Sequence, residues 1–318
     1  MTILITGASG FVGSNLSKHL FDCGFFLESL DLGQPLTKGL MGAYHWNALR
    51  DIDIDHINTI IHLAGKAHDT RNTSDAQSYF DINTGLTQKI FDKFMETDAR
   101  KFIFMSSIAA AAEKGTEDPL NEDCIPSPLG PYGESKLKAE EYILSKMAEN
   151  KHLMERKKVY ILRPCMIHGP RNKGNLNLLY KIVSKGIPWP LGSFLNMRSF
   201  TSIENLSFII EQLINKDVES GVYHIGDDDP LSTNHLIELI SQSAGKKTHI
   251  LHINKGLIRS LAKLGDIIHL PFNSFRLQKL TENYIVSNNK IKEAINVDML
   301  PITASEGINK TLASFRNG

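Results

Sequence analysis

The stretch MTILITGASGFVGSNL, from Met1 to Leu16, begins as a short apolar run and continues with Gly7, Gly10 and Gly13. The run Ile3–Thr6 is typical of a buried strand, and a helical pattern begins near Gly13. Glycine permits a tight turn and a close approach of ligand phosphates, and a helix N-terminus attracts negative charge. The stretch therefore predicts a dinucleotide site, although a glycine triplet alone is also compatible with an ordinary strand–helix turn.

Apolar runs alternate with helical patterns through the first half of the chain. Short, continuously apolar runs are typical of parallel strands buried on both faces. The further predicted strands are Phe25–Leu30, Thr59–Ala64, Lys101–Ser107 and Val159–Pro164, and the predicted helices are Gly13–Asp22, Asn83–Thr97 and Pro131–Asn150. Strands separated by helices predict an α/β protein with a Rossmann-type, doubly wound parallel sheet.

The pattern changes after Pro164, where loops containing Gly and Pro separate shorter helices. We predict a dinucleotide-binding domain over residues 1–164 and a smaller, mixed α/β substrate-binding lobe over 165–318. Residues 199–227, with a helix at Ile203–Asn215 and a strand at Gly221–Gly226, are predicted to return to the sheet. Ligands in such folds bind at the carboxyl ends of the strands, so the cleft is expected there.

Asp31 follows the second predicted strand and lies eighteen residues beyond Gly13. A carboxylate at this position accepts hydrogen bonds from ribose hydroxyls and repels a 2′-phosphate, which favours NAD over NADP. The alternative is an ordinary solvated acid at a strand end.

Tyr132 and Lys136 lie in the segment GPYGESKLKAEEY and are four residues apart, so they share one face of a helix. An ammonium beside a phenol favours the phenolate, so we expect the pKa of Tyr132 to fall toward neutrality. Such a tyrosine transfers a proton while hydride moves to or from a nicotinamide. Ser107, at the end of a predicted strand, is expected to orient that transfer. Without the N-terminal stretch, we would interpret Tyr132 and Lys136 as residues of an ordinary surface helix and Ser107 as an ordinary serine at the end of a strand.

These motifs resemble the extended short-chain dehydrogenase/reductases of the nucleotide-sugar epimerase/dehydratase family, typified by UDP-glucose 4-epimerase. The resemblance covers nearly the whole chain. It is carried by TGASGFVGSNL, LDLG, HLAG, DINTGLTQ, FIFMSSIAA, PYGESKLKAE, LRPCMIHGP and NMRSF.

The resemblance implies a role for each matching residue. Ser107, Tyr132 and Lys136 would form the catalytic set. Asn83 would support its geometry, and Pro164 and Cys165 would flank the nicotinamide. Ser107, Asn175 and Arg198 would contact the substrate, the last two at its diphosphate. The full set of implied cofactor contacts is Gly7, Gly10, Phe11, Val12, Gly13, Asp31, Asn47, Ala48, Leu63, Ala64, Gly65, Asn83, Tyr132, Lys136, Pro164 and Cys165.

Departures from the family pattern bear on the reaction. Dehydratases of the family carry an Asp-Glu pair after the catalytic strand, where this chain has Ile108, Ala109 and Ala110, so dehydration is not expected. Met166 replaces an Asn common in 4-epimerases, and Asn47 replaces an acid on the adenine side. The pattern is closer to a subgroup from bacterial surface-polysaccharide pathways.

The first hypothesis is an NAD-dependent 4-epimerase of a UDP-hexose, with an N-acetylated hexose preferred. One alternative is an NAD(P)H-dependent 4-keto reductase of a UDP-N-acetyl-6-deoxyhexose. Another is a non-catalytic nucleotide-binding sensor or scaffold. A homodimer through the helix that contains Tyr132 is implied by the family.

Composition limits the other classes of function. The 318 residues carry 35 basic and 35 acidic side chains, so no global field attracts nucleic acid. Cys23, Cys124 and Cys165 are too few and scattered for a disulfide framework, which favours reduced thiols in the cytoplasm. The twelve histidines show no metal-ligand spacing, so no metal is expected, and no apolar run is long enough for a membrane span.

The segment from Leu257 is predicted to be an amphipathic helix that covers a core or a subunit contact, in preference to one that binds a membrane interface.

Overall fold

Seven parallel strands form the central sheet of the protein, in the order β10-β6-β5-β4-β1-β2-β3. The structure is a computed structural model that describes residues 1–33, 40–67, 75–112, 115, 118–172, 175–268, 270 and 272–316. The sheet strands are β1 Thr2–Thr6, β2 Phe26–Asp31, β3 Leu40–His45, β4 Thr59–His62, β5 Lys101–Met105, β6 Lys158–Pro164 and β10 Gly221–Ile225. Two short strand pairs lie outside the central sheet. Strand β7, Met166–His168, pairs with β9, Phe200–Ser202, and strand β8, Met197–Arg198, pairs with β11, Leu231–Ser232.

Helices cover both faces of the sheet, so the predicted doubly wound Rossmann-type architecture is confirmed. The helices are α1 Phe11–Asp22, α2 Ala76–Tyr79, α3 Gly85–Glu96, α4 Pro131–Glu149, α5 Lys151–Met154, α6 Asn175–Val183, α7 Ile203–Asn215, α8 Thr233–Ser243, α9 Lys255–Ile267, α10 Ser274–Thr281, α11 Asn289–Ile295 and α12 Ala304–Arg316. A π-helical turn, Phe80–Thr84, joins α2 to α3. None of the helices in the described part of the chain has the length and apolar character needed to cross a bilayer.

Alternate residues of each strand supply two separate cores. Ile3 and Ile5 of β1 point to the face covered by α1 and α7, whereas Leu4 points to the face covered by α3 and α4. All three are fully buried. Burial on both faces explains why these strands are continuously apolar in sequence.

The predicted strands and helices are found within a few residues of their expected bounds, and α7 matches its prediction, Ile203–Asn215. Strand β10 pairs with β6, so residues 221–225 do lie in the sheet. The division into a cofactor domain and a substrate lobe stays a prediction. The sequence reasoning missed β3, which forms the edge of the sheet beside β2.

Two lysines fix helix ends at the amino edge of the sheet. The Lys157 amine donates to the carbonyl oxygens of Phe94, Thr97 and Ala99 at 2.6–3.0 Å, where α3 ends. The amine of Lys101 donates in the same way to three carbonyls around the end of α7, at 2.6–2.9 Å. A cation at a helix C-terminus satisfies carbonyls that have no partner within the helix.

Candidate active site

The glycine turn after β1 is built by close backbone contacts that exclude side chains. Gly7 has φ of +73°, and a Cβ there would lie 2.8 Å from the Ala64 nitrogen. A Cβ on Gly13 would lie 2.2 Å from the Gly7 carbonyl oxygen. The turn, the first residues of α1 and the loop after β4 therefore meet at this point, and a larger residue at either position would force them apart.

The start of α1 is open toward this turn. Gly10 is its N-cap residue and provides no capping side chain. Asp31, at the end of β2, accepts hydrogen bonds from the backbone N–H of Ser9 at 2.8 Å and of Leu32 at 2.9 Å. Each carboxylate oxygen keeps a lone pair for a further donor. An uncapped helix N-terminus beside a side-chain-free turn and a carboxylate fits the phosphates and ribose of a dinucleotide.

The remaining expected cofactor residues lie at the carboxyl ends of neighbouring strands. Asn47 and Ala48 belong to a 3₁₀ turn directly after β3, and 63–65 follow β4. Pro164 is the last residue of β6, and the Cys165 N–H donates to the Ile225 carbonyl at 2.9 Å. The structure thus brings these residues to one edge of the sheet, and their contact with a cofactor remains a prediction.

Ser107, Tyr132 and Lys136 come together beside this edge. Ser107 follows β5, and its hydroxyl accepts a hydrogen bond from the Ala109 N–H at 3.2 Å. Tyr132 lies half-buried in the first turn of α4 and is hydrogen-bonded to Ser107. Lys136, one turn later, is buried, and its amine donates to the Met105 carbonyl at 2.8 Å. The three expected catalytic residues therefore form one cluster, at the carboxyl end of β5 and the start of α4.

The ionisation of this cluster differs from expectation. Removal from water raises the pKa of Tyr132, and the hydrogen bond with Ser107 offsets only part of that rise. The prediction of a lowered tyrosine pKa is therefore wrong for this structure. Burial lowers the pKa of Lys136 to about 8, an effect that Glu140 partly opposes. The physical reason is that burial penalises the charged form of both groups, while the lysine amine is bound to a backbone carbonyl.

Asn83 links the cluster to the loop after β4. Its side-chain oxygen accepts from the Lys66 N–H at 2.7 Å, and its amide nitrogen donates to the Ser135 hydroxyl at 2.9 Å. It lies in the π-helical turn, a rare geometry that often marks functional sites. A Cβ added to Gly65 would lie 2.9 Å from the Asn83 side-chain oxygen and 3.1 Å from the Lys136 amine. Glycine at position 65 therefore permits this close contact.

A buried chain of hydrogen bonds, which the sequence reasoning missed, runs behind the site. The Ala64 N–H donates to the Thr6 hydroxyl at 3.1 Å, and that hydroxyl bonds to Nδ1 of His62 at 2.7 Å. Nε2 of His62 bonds to the Thr87 hydroxyl at 3.0 Å, which donates to the Asn83 carbonyl at 2.6 Å. We assign the histidine proton to Nε2, because the Thr87 hydroxyl gives its own proton to the Asn83 carbonyl and must accept from that nitrogen; Nδ1 then accepts from the Thr6 hydroxyl. Burial, with a smaller effect of Lys136, lowers the pKa of His62 to about 3.

A buried ion pair, also missed, follows Lys136 along α4. The Arg163 guanidinium donates to both carboxylate oxygens of Glu140, with its closest contact at 2.5 Å. The Ser106 hydroxyl donates to the same carboxylate. A signal was available in the sequence, because Glu140 is one turn beyond Lys136 on the face that carries the predicted catalytic residues.

The structure describes the expected substrate-binding residues less completely than the catalytic ones. Arg198 is half-buried in β8, and its guanidinium donates to the Lys279 carbonyl at 2.6 Å. Burial lowers the pKa of Arg198, and Glu282 partly opposes that effect. Asn175 is the first residue of α6, but its side chain lies outside the described part of the structure. Ile108–Ala110 form a short 3₁₀ turn after Ser107 without an acid or a base.

One group of side chains that could together ligate a metal ion occurs in the described residues, away from the catalytic cluster. His19, Cys23 and Glu211 place one ligand atom each within 4.8 Å of the others. The histidine Nε2 bonds to the glutamate at 2.8 Å, and burial raises the pKa of the Cys23 thiol. The three side chains contact one another directly through the histidine, and the expectation of no metal stays a prediction. Cys23, Cys124 and Cys165 are free thiols.

Comparison with known proteins decides the family. The model of the NAD dependent epimerase/dehydratase family matches residues 3–226, which include the whole central sheet apart from Thr2 at the start of β1. The chain belongs to this family. It is therefore an NAD-dependent enzyme, and the residues around the glycine turn fit that cofactor.

Individual relatives align with nearly the whole length of this chain. A UDP-glucose 4-epimerase of Vibrio cholerae is 29% identical, over 99% of this chain and 95% of the relative. The N-acetyl-alpha-D-glucosaminyl-diphospho-ditrans,octacis-undecaprenol 4-epimerase of Escherichia coli O157:H7 is also 29% identical, over 98% and 94%. The crystal structure of the Bacillus cereus UDP-glucuronic acid 4-epimerase in complex with NAD has the same fold, with a TM-score of 0.75, 20% identity and coverage of 100% and 99%.

Proposed function

We propose that this enzyme is a 4-epimerase of a UDP-hexose, with an N-acetylated hexose preferred. The observation that carries the proposal is the cluster of Ser107, Tyr132 and Lys136 beside the glycine turn and Gly65. The names of the two relatives support C4 as the reacting carbon, and one of those names contains an N-acetylated sugar. Bound NAD supplies a nicotinamide that accepts a hydride and returns it.

Tyr132 is proposed to exchange a proton with the 4-hydroxyl oxygen. The raised pKa keeps its phenol protonated at neutral pH, the state that donates a proton to a carbonyl oxygen. The opposite direction, removal of the hydroxyl proton, requires the phenolate. Ser107 holds the phenol oxygen by a hydrogen bond and so fixes the line of transfer.

Lys136 and Asn83 are proposed to hold the cofactor side of the cluster. The buried Lys136 amine is anchored on the Met105 carbonyl, and Asn83 fixes the loop that carries Gly65. A cation held there contributes positive charge near the phenol, which favours proton removal when the hydroxyl is oxidised.

A second candidate is the same reaction on a sugar linked through diphosphate to a polyprenol, the substrate in the name of the Escherichia coli relative. It is supported by Leu257, Leu261 and Leu264 of α9, which are 48–55% exposed, because a substrate with a polyprenyl chain is presented at a bilayer. The homodimer through α4 and the cytoplasmic location both stay predictions.

Tyr132→Phe tests the catalytic role directly. Purified wild-type protein is expected to interconvert UDP-GlcNAc and UDP-GalNAc without added cofactor. The variant should lose at least a thousandfold in turnover and keep its affinity for NAD, because only the proton-transfer group is removed. Tyr142→Phe is the matched control on the same helix, where the hydroxyl bonds to Asp92 at the surface, and it should keep wild-type turnover.

The alternatives give different results. Oxidation of added NADH with a UDP-4-keto sugar, without UDP-hexose interconversion, would identify a reductase. Interconversion of the sugar only when it is attached to polyprenyl diphosphate would identify the second candidate. An active wild-type protein whose turnover is unaffected by Tyr132→Phe would refute the catalytic assignment, and NAD binding without any of these reactions would indicate a sensor or scaffold.

A further inference from the structure

Lys66, the residue after Gly65, is held both by its backbone and by its side chain. Its N–H donates to the Asn83 side-chain oxygen at 2.7 Å, and its carbonyl accepts from the Asn83 amide nitrogen at 3.0 Å. Its amine donates to the Ser78 hydroxyl at 2.7 Å, and that hydroxyl gives its own proton to the Asp75 carbonyl at 2.6 Å. The amine of Lys66 therefore has a fixed position, although the residue is only half-buried.

This amine lies over the ring of Tyr79, the last residue of α2. The amine nitrogen is 5.0 Å from the ring centroid, which is within the range of a cation–π interaction. The Tyr79 ring in turn meets the Tyr132 ring at an interplanar angle of 66°, with 6.3 Å between the centroids. Edge-to-face packing of this kind is a favoured geometry for two aromatic side chains. Lys66, Tyr79 and Tyr132 therefore form a row in which each side chain orients the next.

A second route joins Lys66 to the backbone of the catalytic tyrosine. The Asn83 amide nitrogen, which binds the Lys66 carbonyl, also donates to the Ser135 hydroxyl at 2.9 Å. That hydroxyl donates to the Tyr132 carbonyl at 2.9 Å. The backbone route fixes the turn of α4 that carries the tyrosine, and the row through Tyr79 fixes its ring.

Support for the ring matters because the phenol has few other contacts that set its orientation. The Ser107 hydrogen bond holds the phenol oxygen, but a single bond at the end of a ring leaves the ring free to tilt about it. Burial raises the pKa of Tyr132, and Tyr79 adds a smaller rise, which agrees with their close approach. Proton transfer needs an aligned donor and acceptor, so a tilt of this ring would slow it.

We propose that Lys66 and Tyr79 are positioning residues for Tyr132: the Lys66 ammonium fixes the Tyr79 ring, and that ring holds the phenol on the line of proton transfer. The effect on turnover rests on the reaction proposed above, whereas the orientation of the rings does not. Neither residue exchanges the proton itself. The sequence reasoning placed neither of them in the site, because both are distant from Tyr132 along the chain.

Nuclear magnetic resonance of isotope-labelled tyrosine rings tests the orientation without the reaction. The Tyr132 ring signal is identified by its loss in Tyr132→Phe. It should move in Tyr79→Leu, because the ring current of Tyr79 is lost, and by a smaller amount in the same direction in Lys66→Met, because the Tyr79 ring is no longer fixed. Lys138→Met, which removes a cation 5.7 Å from the ring of Phe80, is the matched control and should leave the signal unchanged.

Steady-state kinetics with a UDP-sugar test the consequence for the reaction. Tyr79→Leu should lower turnover about tenfold and Lys66→Met about threefold, with KM and NAD affinity within about twofold of wild type, because only alignment is lost. The solvent deuterium isotope effect on turnover should rise in Tyr79→Leu, since proton transfer becomes the slow step. Tyr79→Phe keeps the ring and should retain at least about a third of wild-type turnover.

Each contrary result has a definite meaning. A Tyr132 signal that does not move in Lys66→Met would overturn the proposal, and so would wild-type turnover in Tyr79→Leu, which would reduce the contact to ordinary packing of α2 on α4. A loss in Tyr79→Phe as large as that in Tyr79→Leu would assign the effect to the hydroxyl and not to the ring, which also contradicts it. A wild-type protein that does not convert UDP-sugars would refute the proposed reaction, and the ring signals would still decide whether Lys66 and Tyr79 orient Tyr132.

Discussion

At the scale of single residues, Gly65 controls the closest approach in the candidate site. The loop after β4 carries this glycine to within contact of Asn83 and Lys136, and a Cβ would lie 2.9–3.1 Å from polar atoms of both. Neither partner can easily retreat, because Asn83 is fixed by Lys66 and Ser135 and Lys136 by the Met105 carbonyl. The added methyl group would displace one of the two side chains.

Gly65→Ala is therefore expected to reduce turnover and NAD affinity about ten- to hundredfold, since overpacking of a tight site costs about 1–3 kcal/mol. Isothermal titration with NAD and steady-state kinetics would measure the two effects. Gly33→Ala is the matched control, because a Cβ at that position meets no atom of the described residues within 4 Å. Equal activity of the two variants would contradict the role given to Gly65.

The composition of the catalytic cluster was predictable from sequence, but its ionisation was not. A spacing of four residues correctly placed Tyr132 and Lys136 on one side of α4. It did not reveal that the Met105 carbonyl binds the amine, or that burial outweighs the hydrogen bond from Ser107 at the phenol. Both effects depend on residues distant in sequence, so a local pattern does not contain them.

At the scale of elements, α4 is tied to β6 by the ion pair of Glu140 and Arg163. The two side chains are 0% and 4% exposed, so neither has water to replace a lost partner. Because Lys136 lies on the same helix face, this pair holds the turn of α4 that carries the catalytic residues.

Glu140→Gln should lower the free energy of unfolding by about 3–5 kcal/mol, because it leaves Arg163 as an uncompensated buried charge. Urea denaturation followed by circular dichroism would measure the change. Glu141→Gln, one residue further and exposed, should be close to wild type and serves as the control. A loss of less than about 1 kcal/mol for Glu140→Gln would mean that the pair contributes little to holding α4.

The missed strand β3 shows the limit of the pattern used for the other strands. Five strands are continuously apolar because they are buried on both faces. Residues 40–45 instead alternate between half-buried and exposed, include Gly42, and pair with β2 through a register shift. An edge strand needs only one buried face, so a search for continuous apolar runs does not detect it.

At the scale of the whole molecule, the buried histidine makes the fold sensitive to acid. His62 has a pKa of about 3 in the folded state and an ordinary value near 6.5 in the unfolded chain. Between these values the unfolded state binds more protons, so stability falls as the pH drops below about 6.5.

At pH 5, His62 is expected to account for a loss of about 2 kcal/mol relative to pH 7. His62→Gln should shrink the difference in unfolding free energy between pH 7 and pH 5, measured by urea denaturation. It should not abolish it, because burial also lowers the pKa of His224, to about 4. His152→Gln, at an exposed position, should leave the difference as in wild type. An unchanged difference in His62→Gln would show that this histidine is not the acid-sensitive group.

The architecture as a whole was predictable because it depends on patterns that repeat along the chain. Buried parallel strands, their helices and the glycine turn each leave a local signature. The exposed face of α9 was not predictable, since its apolar residues are the same type as those of a core-covering helix. Only the packing of Ile258 and Ala262 shows which row is covered.

The lysine caps at the amino edge of the sheet keep a structural task apart from the chemistry. Six carbonyl oxygens at or just beyond the ends of α3 and α7 accept hydrogen bonds from Lys157 and Lys101. The opposite ends of the elements carry the uncapped start of α1 and the loops with Gly65 and Ser107. The contacts that hold these helix ends therefore lie at the edge of the sheet opposite the candidate site, where they leave the catalytic side chains untouched.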